Sequence, residues 1–172
     1  MQRKITELLQ KIFRPDQIFK YGFNISPMYR RSVGRIKNVS RDLMKVEVEL
    51  PINYKNRNFV GAIFGGSLFA STDPVYMIQL MHLLGDDYVV WDKSATIHYK
   101  RPAREKMSAN FEFTKVEINE IKTRIDVENE IDIIKKVDIK NKNGKVFSSV
   151  EKTIYIASKA YYKKKLSARR RK

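Results

Sequence analysis

The sequence predicts an α+β domain in which a largely antiparallel sheet wraps around one long central helix, preceded by an N-terminal helical extension. Three observations carry this. The run from Gly65 to about Leu84 has the length and composition of a buried helix, with Leu68, Phe69, Val75, Ile78, Leu80 and Leu84 spread over most of its sides. Apolar and polar residues alternate in stretches before and after it, which is the pattern of half-buried strands, and the mostly short connections favour antiparallel pairing. Asn141-Lys142-Asn143-Gly144 separates the last two stretches, and Asn-Gly is a strong hairpin signal.

In order along the chain, residues 2–13 carry Ile5, Leu8, Leu9, Ile12 and Phe13 at helical spacing. Pro15 is expected to end that helix. Residues 16–31 read as a short helical turn and an irregular connector. Val33 to Val39 is the first strand candidate. Met44, Val46, Val48 and Leu50 alternate with Lys45, Glu47 and Glu49 in the second, and Pro51 stops it. Residues 52–64 lead into the central helix, which Gly85 closes. From Tyr88 to Lys100 the alternation puts Val89, Trp91, Ala95, Ile97 and Tyr99 on one face and Asp92, Ser94, Thr96 and His98 on the other. Arg101-Pro102-Ala103-Arg104 makes a basic turn. Ala109, Phe111 and Phe113 form a further strand. Residues 117–130 fit either a short amphipathic helix or an irregular link. The final pair spans Ile131 to Ile139 and Lys145 to Ile156. This divides the chain into a helical extension (1–32), the sheet-and-helix domain (33–157) and a basic tail (158–172).

At 172 residues the chain is long enough for one proper core. It has no cysteine, so thiol chemistry and a disulfide framework are excluded. The N-terminus lacks an apolar stretch of signal-peptide length, and the central run is interrupted by Asp73, Pro74, Gln79 and His82, unlike a membrane span. A cytoplasmic protein is expected. The formal charge is +16, and half of that excess comes from Lys159, Lys163, Lys164, Lys165, Arg169, Arg170, Arg171 and Lys172, with no acid after Glu151. Such a tail reads first as a solvated or disordered end; contact with anionic surfaces, nucleic acid or lipid, is the sharper reading.

The stretch from Asn58 to Pro74 holds the candidate site. Gly65 and Gly66 stand where the first N–H groups of a helix have no intrahelical acceptor, and the missing Cβ lets a ligand atom approach. Asp73 is the sole acidic residue between Glu49 and Asp86, and a carboxylate inside an apolar helix is costly to bury without a partner. Structural readings stand beside these. Gly65-Gly66 also fits a tight turn, and Thr72-Asp73-Pro74 fits a helix restart with Asp73 as N-cap and Pro74 at N1. His82 and His98 are far apart and fit no metal-ligand spacing, so no metal and no redox cofactor is expected.

These residues resemble the hotdog-fold thioesterase superfamily, in its phenylacetyl-CoA and medium- to long-chain acyl-CoA thioesterase branch. That branch carries Asn, then His-Gly-Gly, then Asp nine residues after the His. Here Asn58 precedes Phe64-Gly65-Gly66, and Asp73 lies nine residues after Phe64. Phe64-Gly65-Gly66, Asp73-Pro74 and Trp91-Asp92-Lys93 are similar to the signatures of a bacterial hotdog subfamily of uncharacterised function. The resemblance spans roughly residues 33–157. It implies an acyl-CoA or acyl-carrier thioester as substrate or ligand, no cofactor, and a homodimer or homotetramer with sites between subunits. By this resemblance Gly65 and Gly66 hold the oxyanion, Asp73 activates water or attacks, and Asn58 orients the water or carbonyl. Phe64, in place of the family histidine, lines the acyl pocket or packs in the core. Lys100, Arg101 and Arg104 face the nucleotide phosphates, or form a solvated basic turn. From Gly66 to Asp73 is about 10 Å along a helix, so one carbonyl cannot touch both in one chain, which is a second reason to expect a partner subunit. The alternative function is a non-catalytic hotdog protein that binds acyl-CoA or is purely structural.

Overall fold

In the computed structural model, which describes residues 13–169, six strands form one antiparallel sheet. They are β1 (Arg35–Val39), β2 (Lys45–Leu50), β3 (Tyr88–Tyr99), β4 (Met107–Glu112), β5 (Glu130–Lys140) and β6 (Val146–Ser158), in the order β1-β2-β4-β5-β6-β3. Among the described residues six helices accompany them: α1 (Pro15–Ile25), α2 (Pro27–Arg30), α3 (Gly65–Ala70), α4 (Val75–Leu84), α5 (Lys115–Glu128) and α6 (Lys159–Arg169). The β5–β6 hairpin turns through Asn141 and Gly144, whose φ of 77° explains the glycine. Among the described residues no helix is long and apolar enough to cross a membrane.

One side of the sheet buries α4 through Val75, Tyr76, Leu80 and Leu84, against Val46, Val48, Phe111, Val150 and Ile154. Phe111 meets Tyr76 edge-on, with ring centroids 4.7 Å apart, a favoured aromatic arrangement. Gln79 is buried in the same helix and donates from Nε2 to the Leu43 carbonyl at 2.8 Å, which ties α4 to the β1–β2 turn. β4 and β5 pair over two residues only, Ser108 with Lys140 and Ala109 with Ile139. The chain between them folds as α5, capped by Thr114 and Glu117 in a reciprocal box.

Several expectations are corrected. The central helix is not continuous: α3 ends at Ala70, and Ser71 to Pro74 form an irregular break with a cis Asp73–Pro74 peptide. Pro74 has no N–H to donate, and the Ser71 and Thr72 hydroxyls satisfy the last α3 carbonyls by donating to Leu68 and Phe69 at 2.9 and 2.7 Å. Residues 117–130 are helical over most of their length. Residues 16–31 are two helices, and Pro15 begins the first of them, which suits proline at N1. The stripe read over 2–13 lies, except for Phe13, outside the described residues. The single face read along β3 is broken by a bulge between Asp92 and Ser94. The bulge reverses the alternation, so Val90 and Asp92 face inward before it and Ile97 after it. Within the tail, residues 159–169 are not a loose end. They form α6, pinned by Tyr162 against Trp91 and by Lys165 on Glu130.

The two edges of the sheet differ. Asn24 of α1 exchanges two hydrogen bonds with the Ile36 backbone, both at 2.9 Å, and so occupies the outer edge of β1. Among the described residues the outer edge of β3 has no neighbouring strand, and Lys93 to Thr96 are all exposed there.

The core should be energetically uneven. Phe111, fully buried between α4 and the sheet, should lose about 3–5 kcal/mol on change to Ala. Thr114→Ala, which removes only the α5 cap, should lose about 1 kcal/mol. Urea unfolding with a shared m-value checks both.

Candidate functional site

The backbone around α3 is fixed by four hydrogen bonds. The Ile63 N–H donates to the Ala103 carbonyl and the Phe64 N–H to the Asn56 carbonyl, both at 2.7 Å; Ser67 and Leu68 both donate to the Phe64 carbonyl. Gly65 and Gly66 lie between these anchors, and among the described residues nothing accepts from their N–H groups. Side chains explain why both are glycine. A Cβ on Gly65 would fall 2.9 Å from the Tyr99 ring, and one on Gly66 would fall 2.3 Å from the Phe64 ring. Two aromatic rings therefore rest on this backbone, and both are more than half exposed.

Beside it is a pocket of about 660 Å³, lined by Asn58, Val60, Ala62, Ile63, Phe64, Gly65, Gly66, Leu68 and the turn Tyr99 to Ala103. Six of the residues singled out from the sequence, Asn58, Phe64, Gly65, Gly66, Lys100 and Arg101, are brought together there. Arg104 is exposed and does not line it. The Asn58 carboxamide oxygen already accepts from the Ala62 N–H at 2.9 Å, which leaves its NH₂ as a donor. The Arg101 guanidinium stands 5.8 Å from the Phe147 ring centroid. The arrangement offers two backbone donors, an apolar wall and a cationic rim. Tyr99 was missed from sequence because it reads as an ordinary strand residue.

Asp73 is not in this pocket. It sits in the break between α3 and α4 and accepts from the Lys152 ammonium, so it is neither an unpartnered carboxylate in a helix nor the N-cap of α4. Pro74 holds the N-cap position, with no side-chain cap bond. Lys152 comes from β6 and its side chain is 1% exposed. Its second partner is Asp92 of β3, at 2.5 Å. The Phe69 ring lies 5.9 Å away on a third side. Burial holds the Asp92 carboxyl above its ordinary pKa; Lys152 pulls it down, and the neighbouring Asp73 pushes it up. Asp92 Oδ1 is buried and has no hydrogen-bond partner among the described residues. Removing one member of a buried ion pair costs about 3–5 kcal/mol, because the other charge is left uncompensated. The sequence did hold one sign of Lys152: it shares the parity of Val150, Ile154 and Ile156, which face the core.

A family described as a domain of unknown function, DUF4442, matches residues 16–156. No curated protein matches significantly. Among solved structures, the chain is similar to a Pseudomonas aeruginosa protein described as a probable thioesterase, with a TM-score of 0.72, 16% identity, and coverage of 83% of this chain and 95% of that one. A Haemophilus influenzae thioesterase is similar with a TM-score of 0.60 and 14% identity, covering 83% and 90% of the two chains. A Chlorobaculum tepidum protein of unknown function has a TM-score of 0.66 and 15% identity, covering 83% and 93%. At these identities the likeness is one of fold.

The raised Asp92 carboxyl has a consequence for stability. Its contribution is full below the ordinary value of 3.8 and is lost as pH rises through the folded value. Asp92→Asn cannot ionise, so its Tm relative to wild type should rise as pH is raised from about 4 to about 7. Thermal melts of both proteins across that range check this.

Proposed function

The chain belongs to the DUF4442 family, and on that premise we propose that it is an acyl-thioester hydrolase of the hotdog fold, similar to the phenylacetyl-CoA and acyl-CoA thioesterases. One observation carries the reading. The two glycine amides without acceptors, an apolar wall and the Lys100–Arg101 rim share one pocket. In this reading the thioester carbonyl points at the Gly65 and Gly66 N–H groups, which stabilise the negative charge of the tetrahedral intermediate. The acyl chain lies against Val60, Phe64 and Leu68. Lys100 and Arg101 take the phosphates of a CoA or carrier arm by charge-assisted hydrogen bonds.

The base is Asp73, supplied across an interface by a second copy of the chain. Two features support such an assembly. The outer edge of β3 is unpaired among the described residues, and Phe59, Val60, Phe64 and Tyr99 expose large apolar surfaces near the pocket, a common mark of an interaction face. The partner subunit's Asp73 removes a proton from water, the water oxygen bonds to the thioester carbon, and the C–S bond breaks on collapse of the intermediate. The thiolate takes up the proton, and the products are a carboxylic acid and a thiol.

The test is thiol release from short, long and aromatic acyl-CoAs by wild type and Asp73→Asn side by side. Turnover by wild type and a loss of about 10²-fold or more in the variant, with folding retained, is the expected result. Equal rates in both would remove Asp73 from the chemistry. Tight binding of intact acyl-CoA without turnover by wild type would instead establish the non-catalytic binding protein.

A further inference from the structure

We propose that Lys152 is the positioning residue for Asp73, with Asp92 as its second anchor, so that one chain carries a three-member ion cluster linking the helix break to the edge strand. The inference rests on the hydrolase reading of Asp73. It starts from two sequence motifs that lie 18 residues apart, Asp73-Pro74 and Trp91-Asp92-Lys93, whose carboxylates meet on one ammonium. The three residues of the second motif divide their work. Trp91 faces out and stacks on Tyr155 at 5.2 Å, Lys93 sits at the bulge and binds Asp132, and Asp92 turns inward to Lys152.

The exposures give the direction of action. The Lys152 side chain is 1% exposed, Asp92 is 20% exposed and Asp73 is 46% exposed. The cation is therefore fixed from within, and Asp73 is the member that reaches solvent. An ammonium holding one carboxylate oxygen from behind sets the orientation of the carboxylate toward whatever lies in front. The described groups gathered at the Lys152 ammonium are Asp73, Asp92 from β3 and the Phe69 ring from α3. Glu151 is exposed on the opposite face of β6.

The experiment measures kcat and KM for acyl-CoA hydrolysis in wild type, Lys152→Met, Lys152→Arg and Asp92→Asn. Lys152→Met should lower kcat by about tenfold or more with KM nearly unchanged. Asp92→Asn keeps the Lys152–Asp73 pair and should therefore lower kcat less than Lys152→Met does. Lys152→Arg should recover part of kcat. If Lys152→Met fails to fold, Lys152→Gln takes its place and is read by the same split of kcat from KM. An unchanged kcat on loss of the ammonium, or a loss that Lys152→Arg does not repair, would overturn the proposal. Absence of turnover by wild type would sink the hydrolase reading separately. The anchoring is then read from the ¹³C resonance of the Asp73 carboxyl at one fixed pH, and an identical resonance in wild type and Lys152→Met would overturn it.

Discussion

A full positive charge on the inner face of β6 constrains much of this structure. Lysine is rarely buried unless it is paired, and the cost of removing its ammonium from water falls only when carboxylates come to it. Here they come from two directions, Asp73 from the break between α3 and α4 and Asp92 from the edge strand β3. Each arrival is tied to a local irregularity. The stretch Ser71 to Pro74 interrupts what would otherwise be one apolar helix, and the bulge at Lys93 lets Asp92 face inward while Ile97 does so further along. Departures from regular structure thus coincide with a place where charge enters the core.

The pocket and the ion cluster lie at opposite ends of α3. At the start of that helix, Phe64 and Tyr99 rest on glycine backbone and leave two N–H groups without acceptors. Past its end, Asp73 is held by Lys152. A hydrolytic site needs a place for developing negative charge and a base for water. In the proposed reading the glycine amides and Asp73 fill these two parts, and one chain does not bring them into the same pocket. The separation is what makes a second subunit part of the functional reading.

Much of the architecture was legible in the residues. The strands show in the alternation of Val46, Val48 and Leu50 and of Ala109, Phe111 and Phe113, and the last hairpin in Asn143-Gly144. Six of the candidate site residues do converge. What the sequence concealed has definite causes. The apolar composition continues on both sides of Asp73, so the break between α3 and α4 has no compositional mark beyond Pro74. The alternation in β3 has the same period before and after Lys93, so a one-residue bulge reverses its phase without changing its look. Helix α5 buries little more than Ile118, Ile121 and Ile125, a stripe too narrow to separate a helix from a link. Lys152 sits between Glu151 and Thr153, where a lysine looks like any solvated strand residue. Beyond its parity with Val150 and Ile154, only the distant carboxylates reveal otherwise.

The unequal edges of the sheet set a limit on how the molecule can grow. Asn24 already occupies the backbone groups of Ile36 that a strand beside β1 would use. Among the described residues, β3 is therefore the edge more open to strand addition. A ribbon that pairs through one side joins to one like ribbon across a two-fold axis and is then complete. Association through β3 is for that reason self-terminating, and Asn24 stands against its continuation through β1.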